Sequence, residues 1–216
     1  MALNTKKRII TSFFLLSLLL LMFFYTFILI VSLIIIAVIS WIEFYALISK
    51  IFKKNTLKEK ILRFLGKSIS LIYLSFFVFL TIINFDLKVD IFFILLISIF
   101  SDIGGLIIGK TFKGMKLSKI SPNKTISGSF GSFIFSLSLI PIFYTHLSIF
   151  NIYSLIFFTI LISLISQLGD LFISLCKRKA QVKDTSDILP GHGGFLDRVD
   201  GILFAVPAGI LFVKFF

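Results

Sequence analysis

Residues 9 to about 49 form an almost unbroken apolar run. As one helix it would be about 60 Å long, roughly twice the hydrocarbon thickness of a bilayer. The run therefore predicts two membrane helices, split near Tyr25-Thr26, although neither Gly nor Pro marks a break there. Further apolar stretches follow at about 69–84, 90–109, 126–143, 150–176 and 199–214. Hydrocarbon offers the backbone no hydrogen-bond partners, so such stretches must be helical. The expectation is an all-α, polytopic helical bundle with about seven transmembrane helices. At 58% hydrophobic with 29 Phe, the chain is more apolar than the roughly half-apolar soluble norm. No linker-like change in composition interrupts it. One membrane domain is expected over 1–216, with N-terminal helices and a basic connector in 1–90 and the motif-bearing half in 91–216.

The formal net charge is +12. In a soluble protein that would suggest nucleic acid, but no nucleic-acid-reading module accompanies it here. The positive-inside rule accounts for it better. With the N-terminus cytoplasmic, 20 of the 22 Lys and Arg fall in segments facing the cytoplasm, and only Lys88 and Lys214 fall outside. The opening resembles a signal peptide, with Lys6, Lys7 and Arg8 before an apolar run. No small-residue cleavage site follows, so it reads as a retained first helix. The single cysteine, Cys176, excludes an intrachain disulfide framework.

Two features of the first half have bland readings. Glu43 lies in the second helix beside Trp41 and Tyr45, and it reads as an interfacial residue close enough to the surface to snorkel. The connector 50–67 is basic and partly amphipathic. Leu57, Ile61, Phe64 and Leu65 recur at helical spacing, as on a surface helix touching anionic headgroups.

The second half carries the chemistry. Ser163, Ser166, Gln167, Asp170, Ser174 and Lys177 share one face of the sixth span. A carboxylate at bilayer depth costs about 2.5–3.5 kcal/mol on the insertion scale, so Asp170 needs a partner, a cation or water. Asp102 poses the same question in the fourth span. Its neighbours Ser98, Gly105 and Gly109 form a small-residue face, which admits either another helix or a ligand.

Between the last two spans lies a two-signed segment. Lys177, Arg178, Lys179 and Lys183 come first, then Asp184 and Asp187, the turn Pro190-Gly191-His192-Gly193-Gly194, and Asp197-Arg198-Val199-Asp200. Glycines permit positive φ and close backbone approach to an anion. Asp197 and Asp200, three apart, either complement the helix dipole or join Asp170 as hard oxygen ligands for Mg²⁺. The basic cluster is either a solvated topogenic loop or a phosphate-binding one. A second basic segment around Lys124 faces the same compartment. His192 alone reads as a turn residue, and His146 is given no role.

This pattern resembles the signature of the phosphatidate cytidylyltransferases. The matching residues are Ser174, Lys177, Arg178, Lys183, Asp184, Pro190, His192, Gly193, Gly194, Asp197, Arg198 and Asp200. Upstream, Gln167-x-Gly169-Asp170, Asp102-x-Gly104-x4-Gly109 and Ser121-Pro122-x-Lys124-Thr125-x2-Gly128 also resemble the family. The likeness covers about 100 to 204, half of the chain. Ser127 stands where many members carry an acid, Leu106 where many carry an aromatic, and Cys176 where most carry an aliphatic residue or Phe.

The resemblance implies transfer of CMP from CTP to phosphatidate, on the cytoplasmic face of the bacterial inner membrane. It implies Mg²⁺ held by Asp170 and Asp197, with Asp200 as ligand or support. Lys177, Arg178, Lys183 and Arg198 would hold phosphates, with Ser174 and Asp184 beside them. His192, Gly193 and Gly194 would meet CTP, and Lys124 and Asp102 would complete the wall. A symmetric dimer is the commonest assembly for such a chain. Two rival readings are a CTP-dependent polyprenol or phytol kinase and an ion-coupled transporter using Asp102 and Asp170. The charges crowd one membrane face rather than spreading through its depth, which disfavours the transporter.

Overall fold

The computed structural model describes residues 2–118, 121, 124–148, 151–188 and 193–215, with side chains from residue 13 onward. It is all helical, with no strand among the described residues. The helices are α1 Ala2–Phe24, α2 Thr26–Ile51, α3 Leu57–Ile83, α4 Lys88–Phe112, α5 Ile126–Leu137, α6 Ile140–Phe143, α7 Ile152–Lys179 and α8 Leu196–Phe215. The first apolar run does divide at Tyr25, whose extended backbone separates α1 from α2.

Among the described residues, five segments are long and apolar enough to cross a membrane: Thr26–Ile51, Leu57–Ile83, Phe85–Phe112, Ile126–Phe143 and Ile152–Lys179. The protein is therefore a multi-pass membrane protein. Of the other two expected spans, the first is represented by the shorter apolar helix Phe13–Phe24. The last, α8, carries Asp197, Arg198, Asp200 and Lys214 along its 20 residues, more charge than the five contain in their apolar windows.

The connector differs from the expected separate surface helix. It begins α3, which runs unbroken from Leu57 into the third span. No proline interrupts the helical period, and extending a formed helix costs far less than nucleating a second one. Leu57, Ile61, Phe64 and Leu65 are all exposed on this first part.

The chain divides into two compact units. The first comprises Met1–Ile82 and Cys176–Val199. Its core includes Leu29, Leu33, Leu47, Leu74 and Phe77. Leu47 also packs with Cys176 and Ala180, joined by Phe44, Ile51 and Val182. Lys67 lies 3.4 Å over the Tyr45 ring, a cation–π contact at the foot of α3.

The second unit comprises Ile83–Leu175 and Asp200–Phe216. Aromatic rings fill one end. Phe93 meets Phe143 at 5.4 Å and Phe158 at 6.5 Å, and Phe158 meets Phe212 at 5.2 Å. At the other end α4 and α5 touch through glycine. A Cβ added to Gly104 would lie 2.5 Å from the Gly131 carbonyl, and one added to Gly109 would lie 3.4 Å from Gly128 Cα. Ser132 Oγ donates to the Ser101 carbonyl at 2.7 Å, and Ser136 Oγ to that of Ile97. Small residues and interhelical hydroxyl bonds hold helices together where lipid provides no hydrophobic drive. Of the two readings of the Ser98/Gly105/Gly109 face, helix packing is what the structure shows for both glycines.

Candidate active site

In the first unit, the segment between α7 and α8 is held by two carboxylates. Asp197 sits in the first turn of α8. Its Oδ1 pairs with Lys177 Nζ at 2.6 Å, and both side chains are mostly buried. Its Oδ2 accepts from the Thr185 amide at 2.9 Å and from the Gly194 amide at 3.2 Å, and lies 3.1 Å from Thr185 Oγ1. Lys177 is presented by the last turn of α7, where a cation also meets the negative end of the helix dipole.

The second carboxylate is Glu43, on α2 and 2% exposed. Glu43 Oε2 accepts from Thr185 Oγ1 at 2.7 Å and the Leu196 amide at 2.8 Å. Glu43 Oε1 accepts from Ser186 Oγ and from the Phe195 amide at 2.9 Å. Phe195 and Leu196 supply N–H groups that the start of α8 leaves without intrahelical partners. The interfacial, snorkelling reading of Glu43 is therefore corrected. The residue is buried, and it caps a helix start and the loop before it.

Glycine is required twice here. Gly193 has φ +82, a left-handed backbone, and a Cβ there would lie 3.2 Å from Asp184 Cγ. At Gly194 a Cβ would overlap Thr185 Oγ1 and lie 2.9 Å from Glu43 Oε2. Arg178, Lys183, Asp184 and Arg198 are exposed around this segment. Pro190, Gly191 and His192 of the expected turn lie outside the described residues, as does Pro122.

In the second unit, Asp170 on α7 pairs with Lys124 and accepts from Ser174 Oγ at 3.3 Å. Lys124 sits beside an antiparallel bridge between Lys116 and Thr125. Its carbonyl accepts from the Leu117 amide at 2.8 Å, and the Ile126 amide donates to the Met115 carbonyl at 3.0 Å. Thr125 then caps α5, accepting from the Gly128 amide at 3.1 Å. Ser127, in the place of the family's acid, donates to the Lys113 carbonyl and sits 3.0 Å from Thr125 Oγ1. Two members of the polar stripe of α7 are met by neighbouring helices: Ser129 Oγ donates to Gln167, and Ser163 Oγ to Ser101 Oγ at 3.0 Å.

Asp200, 5% exposed, hydrogen-bonds to Asp170 and lies within electrostatic range of Asp102. Its Oδ1 also takes the Gly201 amide at 2.9 Å. Two carboxyl groups stand side by side only with a proton or a cation between them. Ser166 Oγ, buried against Gly201, has no hydrogen-bond partner among the described residues. These features fit a hard divalent cation. No group of three or more His, Cys, Asp or Glu among the described residues forms a ready cage. Mg²⁺ suits that arrangement, since it usually takes one or two carboxylates and completes its shell with water and substrate phosphate.

The structure thus brings Lys177 together with Asp197, Gly193 with Asp184, and Asp170 with Lys124, Ser174 and Asp200. The sequence reading missed Glu43, Thr185 and Ser186. The available signal was the rule already applied to Asp170: a carboxylate within an apolar helix needs a partner.

The fold defines a class: an all-α, multi-pass membrane protein, with a Lys177–Asp197 ion pair in its first unit and an Asp170–Lys124 pair in its second. The chain belongs to the cytidylyltransferase family, whose sequence model matches residues 2–216. Among curated relatives, the phosphatidate cytidylyltransferase of Bacillus subtilis is 39% identical over 159 residues, 71% of this chain and 59% of that protein. Those of Rickettsia prowazekii and Staphylococcus haemolyticus are 45% and 44% identical, over 49% and 50% of this chain and 50% and 42% of their own lengths. The chain spans about half the length of the curated relatives it matches.

Proposed function

We propose that this protein transfers CMP from CTP to phosphatidate, giving CDP-diacylglycerol and pyrophosphate. The observation that carries the reading is the buried Lys177–Asp197 pair at 2.6 Å, within a segment closed by a positive-φ glycine. It is a cation held in place by Asp197, beside backbone amides that Asp197 and Glu43 fix. Membership of the cytidylyltransferase family and the names of the relatives support the choice of nucleotide and lipid.

The reaction needs no protein nucleophile. A phosphatidate phosphate oxygen forms the new bond to the α-phosphorus of CTP, and the bond from that phosphorus to the bridging oxygen breaks, releasing pyrophosphate. Both reactants are anions, so the protein's work is to bring them together and offset their charge. Lys177, Arg178, Lys183 and Arg198 bind phosphate oxygens. Gly193, with its positive φ, lets the backbone approach the triphosphate, and Gly194 lets Thr185 and Glu43 close in behind it. Lys124 adds a cation and Ser174 orients Asp170.

Asp170 and Asp200 would hold Mg²⁺, with Asp102 adding negative charge nearby. When bound, the ion offsets charge on the phosphates and on the leaving pyrophosphate. The resemblance assigned Asp197 to the ion as well. Here its oxygens serve Lys177 and the loop, and that is the role we give it. The site would face the cytoplasm of a bacterial inner membrane, where the positive-inside distribution puts the basic segments. An acceptor panel tests the reading. CDP-lipid formed from phosphatidate supports it, whereas a phosphorylated polyprenol with release of CDP would overturn it.

A further inference from the structure

We infer that Glu43 is the positioning residue for Thr185, Ser186, Phe195 and Leu196, and that through them it sets the affinity for the nucleotide triphosphate. The inference rests on the proposed CTP-dependent reaction for its choice of ligand, but its geometry is independent of it.

Glu43 is remote in sequence from every signature residue, yet it touches both ends of the segment between α7 and α8. Thr185 and Ser186 bond it at the entry, and Phe195 and Leu196 at the exit. One side chain from α2 therefore staples the neck of the loop. Holding these residues in place before the ligand arrives lowers the ordering cost of binding.

The donor arithmetic shows why the residue is a charged acid. A carboxylate has two oxygens and about four lone-pair positions, and all are acceptors. Among the described residues four donors reach Glu43, two on each oxygen. Two of them are amides, which cannot reverse their role. An amide side chain of the same size would turn an N–H₂ group toward one of them. The Thr185 hydroxyl lies 2.7 Å from Glu43 and 3.1 Å from Asp197, and it has one proton to give. The shorter contact takes it. Asp197 Oδ2 then rests on the Thr185 and Gly194 amides. Glu43 and Asp197 thus hold the same residue, Thr185, from two sides, and Asp197 holds Lys177. A buried charge in an apolar helix is costly, and an apolar residue would pack there without that cost. What the charge provides is this loop geometry.

The test is Glu43→Gln and Glu43→Asp in the full chain in detergent, with three readouts. The KM for CTP is expected to rise about tenfold or more in the Gln variant while the KM for phosphatidate stays within about twofold. Glu43→Asp, which keeps the charge, is expected to recover part of the CTP affinity. Hydrogen exchange of the Phe195 and Leu196 amides should accelerate in Glu43→Gln. A purely structural residue would lower the melting temperature and leave the CTP KM of the folded fraction and these amides unmoved, and that result overturns the inference. Thr185→Val is a milder variant should Glu43→Gln not fold. It should raise the CTP KM by a few-fold, and an unchanged KM would count against the inference. If the wild type forms no CDP-lipid, the proposed reaction fails separately. CTP binding and amide exchange then decide: about tenfold weaker binding by the variant upholds the role, and equal binding, or none by the wild type, overturns it.

Discussion

Lys177 Nζ lies 2.6 Å from Asp197 Oδ1, joining the last turn of α7 to the first turn of α8 through a largely buried ion pair. Lys177→Met removes the cation paired with Asp197 and leaves its amide donors. The expected loss is on the order of 10²–10³ in kcat, the cost of removing one preorganised charge from a reacting centre. Asp197→Asn should lose stability as well as activity. A double-mutant cycle read by chemical denaturation should show about 0.5–3 kcal/mol of coupling. Additive single effects would show that the pair is incidental.

Asp170→Asn removes one of the two adjoining carboxyl groups in the second unit. The expected outcome is a fall in activity of at least about 100-fold with little change in melting temperature, since relief of the Asp170–Asp200 contact offsets loss of the Lys124 pair. Mn²⁺ binding followed by electron paramagnetic resonance should weaken in parallel. Full activity, or unchanged Mn²⁺ binding, would remove Asp170 from the metal assignment.

Gly194→Ala places a methyl group on Thr185 Oγ1 and close to Glu43. Neither neighbour can retreat without releasing bonds that close the loop. The variant should resemble Glu43→Gln, with a CTP KM raised about tenfold and phosphatidate affinity preserved. Unaltered kinetics would show that the loop has more room than the structure allows.

Gly104→Ala tests packing. The added Cβ would meet the Gly131 carbonyl at 2.5 Å and Phe135 Cβ at 2.6 Å. Overpacking of this kind costs roughly 1–3 kcal/mol. Thermal unfolding in detergent should shift downward. An unchanged melting temperature would mean that α4 and α5 separate easily.

Much of this was legible in the sequence. The apolar runs gave the membrane helices, because hydrocarbon leaves the backbone no alternative, and the break at Tyr25 fell where length required one. Asp170 stood out because its burial needed explaining. Glu43 was misread because one acid beside Trp41 and Tyr45 has a cheap explanation, snorkelling. Its actual partners lie about 140 to 150 residues away in sequence, and spacing along one chain gives no sign of them. The surface helix was misplaced for a related reason. Amphipathic period shows which face is apolar, but not that α3 continues into the membrane. For Gly105 and Gly109, small size alone does not distinguish a helix neighbour from a ligand, and that took the position of α5.

The central claim is the reaction, and its most direct measurement is conversion of α-labelled CTP by the purified protein in detergent with phosphatidate, with and without Mg²⁺. The account predicts a labelled CMP-lipid and pyrophosphate in equal amounts, formed only when both phosphatidate and Mg²⁺ are present. Labelled CDP alongside a phosphorylated lipid, or turnover indifferent to phosphatidate, would contradict it.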